Sequence, residues 1–340
     1  MVGVRTQIRR DVCSRFLFKK NALKWWKYDF FLDICTMEQI KTFREMTSHL
    51  KRCAQRKRVA VVCGYDAHSF SAIEQMMNKS FAEFILVGET KKYSCYLDLD
   101  NNKQYITFVD APDREAASRI AVLLVKEGRA DILMKGVINT DVLLHAILNK
   151  DVGLLPHGRV LTHLAVMQIP TYDKLLFFSD SAVIPNPTLE QRMAMIDYSI
   201  HACRQFGISN PRIALIHCTE KVSPKFPVSV DYAQIVERHK AGAFPDSIID
   251  GPLDLRVACD KSSMDIKGIC SPVEGDADVL LFPDIETGNA FYKAVTLFAS
   301  AEIAGMLMGT QCPVVLTSRS DSAQTKFYSF CMACLLQNDK

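Results

Sequence analysis

No apolar run in this sequence approaches the roughly 20 residues that a bilayer-spanning helix needs, so nothing predicts a membrane-embedded protein. The motifs of several common chemistries are also missing: there is no GxGxxG, no GxxxxGK[ST], no HExxH and no GxSxG. Their absence argues against Rossmann dinucleotide binding, P-loop hydrolysis, zincin proteolysis and hydrolysis from a nucleophile elbow. Neither sign of charge dominates. The formal net charge is +3 with 23% charged residues, so no basic field points to nucleic acid or an anionic membrane, and a small partner is expected. The twelve cysteines have no framework spacing and read as reduced thiols of a cytoplasmic protein. Cys331 and Cys334 form one CxxC, but no second pair exists to complete a zinc site, and both lie in an apolar helical run. The eight histidines show no ligand spacing, so no metal is expected; His163 and His217, inside apolar strands, read as satisfied core histidines.

What is present is a chain of 340 residues, 49% hydrophobic, long enough for two α/β domains with a cleft between them. Its first 36 residues differ from the rest. They hold eight Lys or Arg against three Asp, both tryptophans (Trp25 and Trp26) and several other aromatics, whereas Met37 opens an amphipathic helical pattern. With no apolar h-region and no small-residue cleavage site, residues 1–36 read as a basic extension outside the fold rather than a secretory signal, the rival reading being a transit-like or membrane-surface segment.

From Lys57 onward, short β-branched runs alternate with helical patterns, the signature of βα units feeding a parallel sheet. Strands are expected at 58–66, 83–89, 105–110 and 131–136, with a helix over 113–128. Two consecutive strands follow in VLTHLAVMQI and KLLFFSD, then a long helix ending at Gly207 and a strand in RIALIHC. The nearly all-apolar strands VLLFPD (279–284) and PVVLTS (313–318) are expected to bracket a helix of about twenty residues beginning at Glu286. The expected partition is 37–155 plus 303–340 as one domain and 156–302 as the other.

Polar clusters fall repeatedly just past strand ends, where ligands of open parallel sheets sit. DILM is followed by Lys135, Gly136, Asn139, Thr140 and Asp141; VLLF by PDIETGN; VVLT by SRSDS. Ser318 and Arg319, before a helix opened by Asp321 or Ser322, offer a hydroxyl, a guanidinium fork and free N–H groups to a tetrahedral oxyanion. The competing reading makes Asp321 a helix cap and Arg319 a structural ion pair. Lys135, Gly136 and Thr140 are candidates for phosphate or pyrophosphate contact, and Arg159 and Thr162 for completing the anion site. Asp284, Gly288 and Asn289 form the loop before the long helix. There Gly allows close backbone approach and Asn289 can bond substrate, while part of the pattern caps the helix. Tyr292 and Lys293 lie one turn further on.

At these clusters the sequence resembles the phosphate acetyl/butyryltransferase family, closest to its butyryl-transferring branch. The resemblance is carried by ADILMKGVINTDVLLHAIL, GRVLTHLAV, IIDGPLDLRVA, KGICSPVEGDADVLLFPDIETGNAFYK and PVVLTSRSDSAQTKFYS, and covers roughly residues 57–336. It implies an α/β protein with a two-domain, isocitrate/isopropylmalate-dehydrogenase-like fold: mixed parallel sheets, helices on both faces and an interdomain cleft. It implies reversible acyl transfer between coenzyme A and inorganic phosphate by direct attack in a ternary complex. Coenzyme A then serves as co-substrate, with no permanently bound cofactor, no metal and no acyl-enzyme, in a homodimer or larger homo-oligomer. Ser318 and Arg319 match the Ser-Arg pair that family members place in the cleft. Two positions depart from the pattern. Thr325 stands where the acetyl-transferring branch has the Asp proposed as base, leaving Asp321 as the nearest carboxylate, and Arg256 stands where both branches usually show Asp.

The expected activity is transfer of a butyryl or branched four- to five-carbon acyl group. The alternatives are an acetyl-preferring enzyme, a metal- and nicotinamide-dependent decarboxylating dehydrogenase on the same architecture, and a non-catalytic binding relative. The dehydrogenase would need clustered cleft aspartates for Mg²⁺, whereas these strand ends carry mostly Ser, Arg, Lys and Asn. Expression from Met37 is expected to leave acyl transfer intact; loss of activity in that truncation would show that residues 1–36 are needed.

Overall fold

The computed structural model describes residues 38–52, 56–98, 103–318 and 321–337, so the basic extension falls outside the described residues. Met1–Glu38 and Gln39–Lys340 separate as two units, and the second contains the elements described here. After α1 (Phe43–Arg52) comes a βα series: β1 (Lys57–Val62), α2 (Ala67–Asn78), β2 (Ala82–Gly88), β3 (Ile106–Asp110), α3 (Arg114–Lys126), β4 (Ile132–Lys135) and α4 (Thr140–Ile147). A hairpin of β5 (Thr162–Gln168) and β6 (Leu176–Ser179) leads into α5 (Leu189–Gln205), β7 (Arg212–Ile216), α6 (Pro227–Lys240) and β8 (Ile248–Leu253). The chain ends with α7 (Leu255–Cys259), α8 (Lys261–Lys267), β9 (Val279–Leu281), α9 (Ile285–Phe298), β10 (Glu302–Met308), β11 (Val314–Val315) and α10 (Ala323–Leu336).

The architecture is mixed α/β, built on one sheet of eleven strands in the order β3-β2-β1-β4-β11-β10-β5-β6-β9-β7-β8. Pairing is parallel from β3 to β11 and again from β6 to β8. Between these blocks, β10 and β5 pair antiparallel with their neighbours and with each other. The parallel strands read as near-continuous apolar runs because helices cover both faces; all four residues of β4 and of β6 and all three of β9 are buried. One core cluster lies around Val62, Leu133, Ala117 and Val122, and another around Ala165, Phe178, Leu280 and Phe282.

Local signals set the helix starts. Asp66, Asp113 and Asp284 each accept a backbone N–H three residues on, and Thr188 and Gln191 form a reciprocal capping box. Cys331 is buried and Cys334 half-buried on α10, where burial pushes both thiols above their ordinary values. The segment expected as one helix of about twenty residues is instead α9, ending at Phe298, followed by β10. The run EIAGMLM has no helical break and too few residues for its period to distinguish strand from buried helix; pairing with β5 and β11 settles it.

Gly136 follows β4 where the chain crosses the end of β1. A Cβ there would lie 2.4 Å from the Cys63 carbonyl oxygen and 2.6 Å from that of Val62. These are backbone atoms already receiving the Gly136 and Val137 N–H groups, so they cannot yield as a side chain would. Gly136→Ala is expected to destabilise the protein by about 2–3 kcal/mol, read as a lowered denaturant midpoint at unchanged slope.

Candidate functional site

A cleft of about 740 Å³ opens where the segments after β4, β6, β9 and β11 meet. Thr140 comes from the start of α4, Ser181 and Ala182 from the loop after β6, Asn289, Tyr292 and Lys293 from α9, and Thr317, Ser318, Asp321 and Thr325 from the turn into α10. His163 of β5 and Gly305 of β10 complete its wall. Strand ends deliver these residues because a parallel sheet directs its loops and helix N-termini to one edge, where N–H groups and side chains remain unpaired by the ladder.

The turn after β11 is shaped by its own polar groups. Ser318 donates its backbone N–H to Asp321 Oδ2 at 2.6 Å, and Asp321 donates its own to the Ser318 carbonyl at 3.3 Å. The cap of α10 is Ser322, which accepts the Thr325 N–H at 3.1 Å. Asp321 is therefore spared for the turn, and its second oxygen accepts the Tyr292 hydroxyl from α9. Burial and the Asp321 carboxylate together push the Tyr292 phenol well above its ordinary value, so it stays a donor. Arg319 lies outside the described residues.

Two buried ammonium groups stand behind this turn. Lys135, at the end of β4, donates to the Thr317 carbonyl at 3.1 Å, and Lys326, in the first turn of α10, lies 3.3 Å from Thr317 Oγ1. Each is only 1% exposed. Burial pulls the Lys326 ammonium below its ordinary value, opposed by the carboxylates of Asp66 and Asp321.

The opposite wall is organised by Asp180, a buried carboxylate just past β6. It accepts from Thr162 Oγ1 at 2.7 Å, from the His163 N–H at 3.1 Å, and from the N–H groups of Ala182, Val183 and Ile184 at 2.8, 3.0 and 3.3 Å. Thr162 is thus committed to this buried network. Gly288 lets α9 approach it, since a Cβ would sit 2.1 Å from the Asp180 carbonyl oxygen. One residue on, Asn289 Nδ2 donates to the Ser181 carbonyl at 3.0 Å. His163 Nδ1 lies 3.2 Å from Ser181 Oγ.

Of the residues singled out in the sequence, Ser318, Asp321, Thr140 and Asn289 line the cleft, and Lys135, Thr162 and Gly288 brace it from behind. Gly136 packs against β1, and Arg159 is exposed with its guanidinium 5.4 Å from the Tyr198 ring centroid. Asp284 caps α9 and faces a second cavity of about 880 Å³, which Arg256 also lines. Sequence reasoning passed over Asp180, Ser181 and Lys326; His163, expected in the core, is buried as expected and also lines the cleft wall. A signal for the first two was present, because FFSDS repeats after β6 the strand-end pattern of LTSRSDS after β11. Among the described residues, no group of three His, Cys, Asp or Glu side chains is placed to hold a metal, and no helix is long and apolar enough to cross a membrane.

The family model described as phosphate acetyl/butaryl transferase matches residues 114–334. A phosphate butyryltransferase of Clostridium acetobutylicum is 35% identical over 302 residues, spanning 88% of this chain and 100% of that protein. Among solved structures, a branched-chain phosphotransacylase from Enterococcus faecalis matches with a TM-score of 0.74 at 30% identity, covering 84% of this chain and 100% of that one. A phosphotransacetylase from Streptococcus pyogenes shares the fold, with a TM-score of 0.73 at 20% identity over 86% and 98% of the two chains.

Removing a hydrogen bond to a charged group costs about 1.5–3 kcal/mol. Tyr292→Phe, which frees one oxygen of Asp321 and loosens the turn at Ser318, is therefore expected to destabilise the protein by about 1.5–3 kcal/mol, seen as a lowered melting temperature, and to reduce turnover in the cleft. Steady-state kinetics beside a thermal melt checks this.

Proposed function

The chain belongs to the phosphate acetyl/butyryl transferase family, and we propose that it interconverts a short-chain acyl-CoA plus phosphate with the acyl phosphate plus CoA, the acyl group being butyryl or a branched relative of four to five carbons. The observation that carries this reading is the cleft itself. A polar strand-end turn backed by two buried ammonium groups faces a wall of hydroxyl and amide donors, in a chain that matches a phosphate butyryltransferase along that protein's whole length.

In this reading the two halves, 37–155 with 303–340 and 156–302, act as lobes holding the substrates between them, and the enzyme works as a homo-oligomer in the cytoplasm. Phosphate lies at the turn opened by Ser318, with Arg319 as its guanidinium clamp and the Lys135 and Lys326 charges behind. The thioester carbonyl lies toward Asn289, with its sulfur toward Ser181. A phosphate oxygen attacks that carbonyl, charge builds on the carbonyl oxygen and the departing sulfur, and prepositioned donors stabilise it without reorganising. In this reading both substrates share the one cleft, so no covalent enzyme intermediate is required.

Each methylene accommodated in an apolar pocket is worth about 1 kcal/mol. Butyryl-CoA and isobutyryl-CoA are therefore expected to exceed acetyl-CoA in kcat/KM by roughly thirtyfold, measured as phosphate-dependent CoA release. Faster turnover of acetyl-CoA would reassign the acyl group, and no phosphate-dependent release from any of the three would end the acyltransferase reading. Arg319→Ala is expected to cut turnover at least about a hundredfold, the scale seen when one donor to developing charge is removed; an unchanged rate would remove Arg319 from the site.

A further inference from the structure

The reaction proposed above moves one proton on and off a thiol, and that proton needs a place in the cleft. Asp321 is poorly placed to take it, because one oxygen accepts the Ser318 N–H and the other the Tyr292 hydroxyl. Thr325, also in the wall, carries no basic atom. The wall also holds Glu286 and Lys293, but the imidazole of His163 is the group placed against a cleft hydroxyl, the Ser181 oxygen lying 3.2 Å from His163 Nδ1.

Ser181 Oγ lies within hydrogen-bond reach of His163 Nδ1, and a relay between them uses the tautomer whose Nδ1 keeps its lone pair. Ser181 then donates to Nδ1, and its own oxygen is open to a donor in the cleft. Gly305 makes room for the ring, since a Cβ there would lie 2.7 Å from His163 Nε2. Burial holds the imidazole below its ordinary value, so it is neutral at pH 7, while Asp180 and Asp321 act the other way and steady the charged form once a proton arrives. The other titratable groups around it are Glu286, Tyr292 and Lys293 on α9, with Lys326 of α10 behind Thr317.

We propose that His163, working through the Ser181 hydroxyl, takes the proton of the CoA thiol and returns it. The inference rests on the acyltransferase reading. Toward acyl-CoA, the S–H proton passes to Ser181 Oγ as the Ser181 proton passes to His163 Nδ1. The sulfur attacks the acyl-phosphate carbonyl, the carbonyl C–O bond breaks, and orthophosphate leaves with the electron pair and takes up the proton that the imidazolium releases. In reverse, hydrogen phosphate yields its proton to His163 as its oxygen attacks the thioester, the C–S bond breaks, and the imidazolium passes that proton through Ser181 to the departing thiolate.

The test is the pH profile of CoA acylation by the full-length chain bearing His163→Gln or Ser181→Ala. Both variants are expected to lose roughly a hundredfold or more in kcat at pH 7 with little change in KM for CoA, the usual scale for a positioned acid-base group. The deficit should shrink toward about pH 9.5, because a thiol ionises unaided above about 8.5. Deficits that stay constant with pH, or near-wild-type kcat in either variant, would overturn the relay. If His163→Gln fails to fold, Ser181→Ala decides, since it leaves the imidazole itself in place. A wild-type chain without phosphate-dependent turnover would mark failure of the acyltransferase reading itself, and the relay would fall with it.

Discussion

The site depends first on one buried carboxylate. Asp180 draws together a hydroxyl and four backbone N–H groups from the start of β5 and the loop after β6. In a low-dielectric interior such a network is stable only when every member is paired, and removing the acceptor would orphan several buried donors at once. Through this cluster the end of the β5–β6 hairpin becomes rigid, and with it the positions of His163 and Ser181. The same loop receives α9, because Gly288 lets that helix touch the Asp180 backbone. The pitch of α9 in turn aims Asn289, Tyr292 and Lys293 into the cleft.

The facing wall uses charge where this one uses a carboxylate. Burying two ammonium groups is costly unless each finds an acceptor, and both find Thr317, one at its carbonyl and one at its hydroxyl. Their charges lie directly behind the turn that begins at Ser318, inside protein rather than in water. A field from such a position acts on a cleft anion with little screening. The first-turn placement of Lys326 adds to the positive end of the α10 dipole.

The two walls meet through Tyr292, which spans from α9 to Asp321, and through β10 and β5, the antiparallel strands joining the two parallel blocks. Gly305 on β10 accommodates the His163 ring projecting from β5, so the cleft floor and the sheet junction are one packing problem.

Much of this was legible in the amino-acid order. All-apolar runs such as DVLLF and ADILM announced covered parallel strands, Asp and Ser before helical patterns announced caps, and polar residues past β4, β9 and β11 marked the edge where Thr140, Asn289, Ser318 and Asp321 line the cleft. These are local features, set by side-chain period and by hydrogen bonds spanning three or four residues. Tertiary pairing alone decided that EIAGMLM is a strand, and that His163, flanked by apolar residues, stands against Ser181 at the cleft wall. Likewise it decided that Lys135 turns toward a carbonyl 182 residues away and Asn289 toward one 108 residues away. The physical reason is that periodicity says which face of an element is buried, whereas the partner that satisfies a buried polar group is supplied by whichever distant segment the sheet order brings beside it.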